Sequence, residues 1–135
     1  MEVDMKAICV LSLAMLSFGC GYSRPSQMTQ PGIVPLVAAI MPPSQMHGGS
    51  DFTLTVTGSN FNGNAVVNWN AAAQPNTTHP MANMLSVVIP AADIATAGMV
   101  QVSVTNPGSS TPGGPYGGGS NTPSETSNNM TFTIK

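Results

Sequence analysis

The side chains that could perform acid–base or metal chemistry are few and widely spread in this chain of 135 residues. Beyond the N-terminal apolar stretch, the carboxylates are Asp51, Asp93 and Glu125, and the histidines are His47 and His79. General acid–base catalysis needs paired groups held within hydrogen-bond reach of a substrate, and a zinc site needs a cluster of nitrogen or sulfur ligands. The sequence contains neither pattern. We therefore predict a non-enzymatic protein with no cofactor and no metal site.

Both cysteines, Cys9 and Cys20, lie near the N-terminus. Residues 7–18 form an uncharged, mostly apolar stretch that follows Lys6. This stretch is short for a membrane-spanning helix but has the length of the apolar region of a secretory signal. We predict a signal peptide over residues 1–19, whose removal would also remove Cys9. Cys20 would then be the only cysteine left, so no internal disulfide could form.

The residues just before Cys20 suggest that its thiol is chemically modified. The run 16–20, Leu-Ser-Phe-Gly-Cys, resembles the lipobox of bacterial lipoproteins, in which a small residue precedes the cysteine that becomes acylated. The resemblance implies lipidation of Cys20 and attachment to a membrane of the cell envelope. No aspartate follows Cys20, which implies the outer membrane where the host has one. An ordinary signal peptide, and hence a secreted protein, is the alternative.

The low charge of the chain excludes one class of partner. Charged residues make up 6% of the sequence, and the formal net charge is −2. Nucleic-acid binding depends on basic residues that neutralise phosphates. After the apolar stretch, the basic residues are Arg24 and Lys135 alone. We predict no nucleic-acid partner.

Alternation of apolar and polar residues with a period of two predicts the secondary structure. In the clearest segment, Phe52, Leu54 and Val56 alternate with threonines. Glycine and proline turns separate the segments, and residues 91–95 can form only one helical turn. This pattern predicts an all-β domain, an antiparallel β-sandwich, over residues 37–135, behind a flexible tether at 20–36. The predicted strands are 37–41, 51–57, 65–69, 85–89, 100–105 and 130–134, with a further short edge strand near 77–78.

Several short motifs follow one another in order along the chain. They are Pro43-Ser44 ahead of Gly48-Gly49, then 55–61 (TVTGSNF), 67–70 (VNWN), 85–94, 102–108 (VSVTNPG) and the closing 132–134 (FTI). With these motifs, residues 37–134 resemble the IPT/TIG family, whose members are immunoglobulin-like modules also found in plexins and transcription factors. The resemblance implies an immunoglobulin-like antiparallel sandwich of about seven short strands, with a non-catalytic role.

Several positions within these motifs carry specific expectations. We expect positive φ values in the Gly48-Gly49 turn and at Gly58, where the chain turns. We also expect five residues to form the core: Phe52, Leu54, Val56, Phe61 and Trp69. Four methionines are expected to fill gaps in that core: Met41, Met84, Met99 and Met130.

Two functions remain open at the level of the sequence. The first is a structural or protein-interaction module at the cell envelope or surface. The second is a carbohydrate-binding accessory module. The expected partners are the membrane, through the lipid anchor, and an envelope protein or a glycan. Recognition is expected on the exposed threonine face of the sandwich or in the long loop 107–129. That loop is interpreted either as disordered or as a binding loop with Tyr116 as its anchor.

Overall fold

The computed structural model describes residues 28–135, which form two antiparallel sheets and an arm. The predicted signal peptide, Cys20 and the first part of the predicted tether lie outside the described residues. The strands are β1 (Met28–Thr29), β2 (Leu36–Met41), β3 (Ser44–Gln45), β4 (Phe52–Ser59), β5 (Val66–Trp69), β6 (Ala72–Ala73), β7 (Thr78–Met81), β8 (Met84–Ile89), β9 (Gly98–Asn106), β10 (Ser109–Thr111), β11 (Ser120–Thr122), β12 (Glu125–Thr126) and β13 (Met130–Ile134), with a 3₁₀ helix at Ala91–Ile94.

The first sheet has the strand order β2-β4-β8-β7, and all its neighbours are antiparallel. Its central strand, β4, is the segment in which the sequence alternates most regularly. Leu54 and Val56 point inward and are fully buried, whereas the threonines between them point outward. The inward and outward faces of this strand are therefore those that the alternation of apolar and polar residues predicted.

The second sheet has the order β3-β13-β9-β5-β6, and β12 also pairs with β9. The short edge strand β3 runs parallel to β13, and the other pairs are antiparallel. Between β12 and β13 the register of pairing with β9 shifts by one residue, because residues 127–129 form a bulge. A bulge of this kind turns a side chain away from its regular position.

Three aromatic rings lie at the centre of the core between the sheets. The ring of Trp69 lies 4.9 Å from that of Phe132 and 6.2 Å from that of Phe52, measured between centroids. Trp69 is 4% exposed, which confirms that it is a core residue. Phe52 and Phe61 are partly buried and pack against this core. The other buried hydrophobic residues are Val37, Ile40, Leu54, Val56, Ala65, Val67, Leu85, Val87, Ile89, Ile94, Val100, Val102, Val104 and Ile134.

The prediction that four methionines fill the core is wrong for two of them. Met41 and Met99 are 70% and 77% exposed, while Met84 and Met130 are partly buried. The reason is strand parity, because Met41 pairs with Thr55 on the outward side of the first sheet. The prediction of burial was based on the type of side chain, but the position of a residue along its strand determines which face it is on.

The glycine expectation is correct for Gly48, where φ is 69°, and wrong for Gly49 and Gly58, neither of which has a positive φ. Gly58 pairs with Val37 across the β2–β4 ladder. A Cβ on Gly58 would overlap the carbonyl oxygen of Leu36 and come within 2.7 Å of the Phe61 ring. Close approach of two backbones, rather than a turn conformation, therefore requires a glycine at this position.

The segment after β9 is not a disordered loop, because it contains β10, β11 and β12. Asn106 pairs with Glu125, Ser109 with Thr122, and Thr111 with Ser120, all in one unbroken antiparallel register. The ladder ends at a turn closed by a hydrogen bond of 2.9 Å from the Gly117 amide to the Gly114 carbonyl. We call this hairpin, residues 107–124, the arm.

The described end of the predicted tether, residues 28–36, is paired with the arm and the first sheet. The strand β1 runs parallel to β11, with Met28 beside Ser120 and Thr29 beside Asn121. The amide of Gln30 then donates to the carbonyl of Asn121 over 3.1 Å. These residues therefore follow the arm down to the start of β2.

Candidate functional site

Two of the predicted candidate residues for chemistry have structural roles. Asp51 Oδ1 accepts a hydrogen bond of 2.8 Å from the amide of Ala91, the first residue of the 3₁₀ helix. His47 Nδ1 lies 2.6 Å from the carbonyl oxygen of Lys135, so it carries the proton, because a carbonyl oxygen only accepts. Within residues 28–135, no three His, Cys, Asp or Glu side chains lie together in a way that could hold a metal ion.

The outer face of the first sheet carries exposed apolar side chains among hydroxyl groups. Met41 is 70% exposed, Met81 62% and Val88 45%. Cross-strand pairing places Met41 beside Thr55, and Val88 beside Thr53. We call this surface the threonine–methionine face; its members are Met41, Thr53, Thr55, Thr57, Thr78, Met81, Met84, Ser86 and Val88.

The strands of this face contain no Asp, Glu, Lys or Arg. The four such residues in the described chain lie elsewhere: Asp51, Asp93, Glu125 and Lys135. The centres of protein–protein interfaces are likewise depleted of charge and enriched in methionine. Methionine also adapts its shape to a partner surface, because its side chain is long and unbranched. The face therefore has the composition of an interface centre.

The outer face of the second sheet is different, because its polar side chains bond to one another. Asn68 Nδ2 donates to Ser103 Oγ over 3.2 Å and to Thr105 Oγ1 over 2.8 Å. Gln101 Nε2 donates to Thr131 Oγ1 over 3.2 Å. These side chains are paired with one another, whereas on the threonine–methionine face the Thr57 and Thr78 hydroxyls donate to the backbone carbonyls of Ala39 (3.4 Å) and Ser86 (3.1 Å).

Tyr116 lies at the tip of the arm and is 97% exposed. Pro115 and Tyr116 are the central residues of the turn between Gly114 and Gly117. Among the aromatic residues that the structure describes, Tyr116 alone is exposed, whereas Trp69 is closed off in the core. The arm contains no charged side chain. Tyr116 is thus an isolated aromatic group on an uncharged projection.

A shallow depression of about 210 Å³ lies where the arm leaves the sandwich, between Ile33 and Asn62. Its buried polar residue, Asn106, is 3% exposed. Asn106 Nδ2 donates to the carbonyls of Ile33 (2.8 Å) and Asn60 (2.7 Å), and its Oδ1 accepts from the Asn62 amide (3.1 Å). The side-chain amide of Asn106 is hydrogen-bonded to backbone groups of Ile33, Asn60 and Asn62. The depression therefore offers a ligand no buried side-chain polar group that lacks a partner.

Sequence reasoning expected recognition on the threonine face or around Tyr116, and the structure places the two apart, on a sheet face and at the arm's tip. It missed the exposed methionines of the sheet face, because it placed Met41 in the core and made no prediction for Met81. A signal for the arm was present in the sequence. Ser109-Ser110-Thr111 and Ser120-Asn121-Thr122 are similar triplets at equal distances from the central Pro115-Tyr116 pair.

Two antiparallel sheets packed face to face around an aromatic core define an immunoglobulin-like β-sandwich. The family model of the IPT/TIG domain matches residues 35–134. The chain belongs to the IPT/TIG domain family, whose immunoglobulin-like modules generally have interaction or structural roles rather than enzymatic ones. No curated protein and no solved structure matches the chain significantly. None of the helical segments in residues 28–135 has the length and apolar character needed to cross a membrane.

Proposed function

We propose that this protein is a non-catalytic module of the cell envelope that is held by a lipid on Cys20 and contacts a protein partner. The observation that carries the proposal is the threonine–methionine face, an uncharged surface with exposed Met41, Met81 and Val88. These side chains offer apolar area to a partner, and burying such area favours association. The threonine hydroxyls beside them can pair with backbone groups of the partner.

A photo-cross-linking residue in place of Val88 tests the contact in intact cells. The matched control carries the same residue in place of Thr131, which is exposed on the outer face of the second sheet. We expect a discrete protein adduct from position 88 that is absent from position 131. Adducts of equal yield from both positions, or none from position 88, would refute a contact through this face.

The anchor is proposed from the run 16–20, with its small residue before Cys20. Acyl chains on this thiol would hold the domain at a membrane surface. Cells labelled with radioactive palmitate should give a labelled protein. The Cys20→Ala variant should lose the label, and the Cys9→Ala variant should keep it, because Cys9 lies within the proposed signal peptide. A label that persists in Cys20→Ala would refute the anchor.

Carbohydrate binding is the second candidate, and the exposure of Tyr116 is the observation that favours it. An exposed aromatic ring can stack on the apolar face of a sugar. If this candidate is correct, the protein should bind specific glycans on an array, and Tyr116→Ala should abolish the signal. Binding that survives in Tyr116→Ala, or no binding by the parent protein, would exclude it.

A further inference from the structure

The strand β1 places Met28 beside the part of the arm that lies nearer the tip. The strand β11 runs away from the arm's tip, from Ser120 to Thr122, and β1 runs parallel to it, with Met28 beside Ser120. From Met28 the chain therefore follows the arm toward the sandwich. The position of Met28 is the point from which the reach of any earlier attachment point is counted.

Chain length limits how far such an attachment point can be. Cys20 lies eight residues before Met28, and eight residues span at most about 29 Å when fully extended. The opposite end of the sandwich is at Gly98, and Met28 lies at the level of Thr111, because both pair with Ser120. At the rise of an extended strand, the path from Gly98 to Thr111 along β9 and the arm spans about 40 Å. An anchor on Cys20 can therefore reach the level of the tip but not the opposite end.

The chemistry of the arm suits a lipid surface. Tyrosine is enriched where the acyl chains of a bilayer meet the headgroups, because its ring is apolar and its hydroxyl is polar. Tyr116 is 97% exposed at the tip, and residues 107–124 include no charge that would have to be desolvated there.

We propose that Tyr116 and the tip of the arm contact the headgroup–acyl boundary of the membrane beside the anchor. The arm then lies between the membrane and the sandwich. This inference rests on the proposed lipidation of Cys20. Once the anchor is in place the tip is held near the bilayer, and this high effective concentration favours even a weak contact by one aromatic group. In this orientation the threonine–methionine face points along the membrane plane and remains open to a partner.

The test uses the mature chain with its Cys20 thiol coupled to a maleimide lipid in vesicles of phosphatidylcholine. This coupling supplies the attachment whether or not cells acylate Cys20. Tyr116→Trp places a fluorescent reporter at the tip. The matched control is Thr96→Trp, because Thr96 is exposed between the 3₁₀ helix and β9, at the opposite end of the sandwich.

Brominated lipids quench tryptophans that enter the bilayer boundary. We expect Tyr116→Trp to lose most of its added emission in brominated vesicles and Thr96→Trp to lose none, while the buried Trp69 contributes the same background to both. Because the arm is uncharged, the quenching should not change when anionic lipid or salt is added.

Equal quenching at the two positions, or none at position 116, would overturn the proposed orientation. The palmitate experiment fails or succeeds separately. A protein that takes up no palmitate in cells but shows quenching at position 116 in vesicles would refute the natural anchor, and not the affinity of the tip for lipid.

Discussion

The side-chain amide of Asn128 pairs with both backbone groups of Val37, in the way that a neighbouring strand would. Asn128 Oδ1 accepts a hydrogen bond of 2.9 Å from the Val37 amide, and Asn128 Nδ2 donates one of 3.0 Å to the Val37 carbonyl. The bulge at 127–129 makes this possible, because it frees Asn128 from its own ladder. One side chain thus joins an edge of each sheet.

Replacing Asn128 should destabilise the sandwich. In Asn128→Ala both backbone groups of Val37 lose their partner, and we expect the free energy of unfolding to fall by about 1–2 kcal/mol. Urea denaturation followed by tryptophan fluorescence measures the change. The exposed neighbour Asn129 provides the control, and Asn129→Ala should change stability by less than about 0.5 kcal/mol. Equal effects of the two substitutions would contradict the bridging role.

Removing the indole of Trp69 should cost far more. Trp69→Ala leaves a cavity beside Phe132 and Phe52, and we expect a loss of about 3–5 kcal/mol. The measurement is urea denaturation followed by circular dichroism, since the variant lacks the fluorophore. Met99→Ala, at a residue that is 77% exposed, is the control and should be nearly neutral. A loss below about 1 kcal/mol for Trp69→Ala would mean that the ring does not support the core.

A methyl group at Gly58 should force β2 away from β4, because it would overlap the carbonyl of Leu36. We expect Gly58→Ala to destabilise the domain by about 1–3 kcal/mol. Gly63→Ala is the matched control, because a Cβ at Gly63 has no neighbour within 4 Å and its φ is not positive. Thermal unfolding of the two variants should separate them clearly, and similar melting temperatures would contradict the close approach.

Asp51 should contribute through its acceptor oxygen alone. Asp51→Ala leaves the amide of Ala91 without its partner, and we expect a loss of about 1 kcal/mol, as for an N-terminal helix cap. Asp51→Asn keeps an oxygen at the same position and should retain most of the stability. Chemical denaturation at neutral pH compares the two. An equal loss in both variants would show that the charge of Asp51, rather than its hydrogen bond, matters.

A charge at the centre of the threonine–methionine face should separate binding from stability. Thr55 is half-buried between Met41 and Ser86 on the central strand of the face. We expect Thr55→Lys to abolish the adduct formed from position 88 and to leave the melting temperature nearly unchanged, because lysine can extend its charged end into water. The control Gln101→Lys, on the other outer face, should leave the adduct intact. An adduct that persists in Thr55→Lys would exclude a contact centred there.

The sequence predicts those features that depend on alternation within one strand. The inward positions of Leu54 and Val56 and the burial of Trp69 follow from the period of two and from the resemblance to the family. What it misses depends on pairing between distant segments. The need for glycine at position 58 comes from Leu36, and the exposure of Met41 follows from its register opposite Thr55.

The arm shows the same limit in another form. Apart from Tyr116, its residues are Gly, Pro, Ser, Thr and Asn, which give no alternating hydrophobic signal, so composition indicated disorder. The register that continues from Asn106–Glu125 to Ser109–Thr122, together with the pairing of β1, forms these strands. The two similar triplets on either side of Pro115-Tyr116 are the one sign of this backbone pairing that the sequence of the arm carries. The location of the proposed anchor, in contrast, rests on the sequence around Cys20 alone.

The edges of the two sheets bear on the tendency of this protein to pair with other chains. Open strand edges pair with other chains, and proteins commonly prevent this with charged side chains. With 6% charged residues, this chain has little electrostatic repulsion to use. Its outer strands have other features that limit pairing. In the first sheet, Pro80 and an irregular register interrupt β7, and Asn128 is hydrogen-bonded to the backbone of Val37 on β2. In the second sheet, the edge strands β3 and β6 are only two residues long. We therefore expect the geometry of the edges, rather than charge, to limit pairing with other chains.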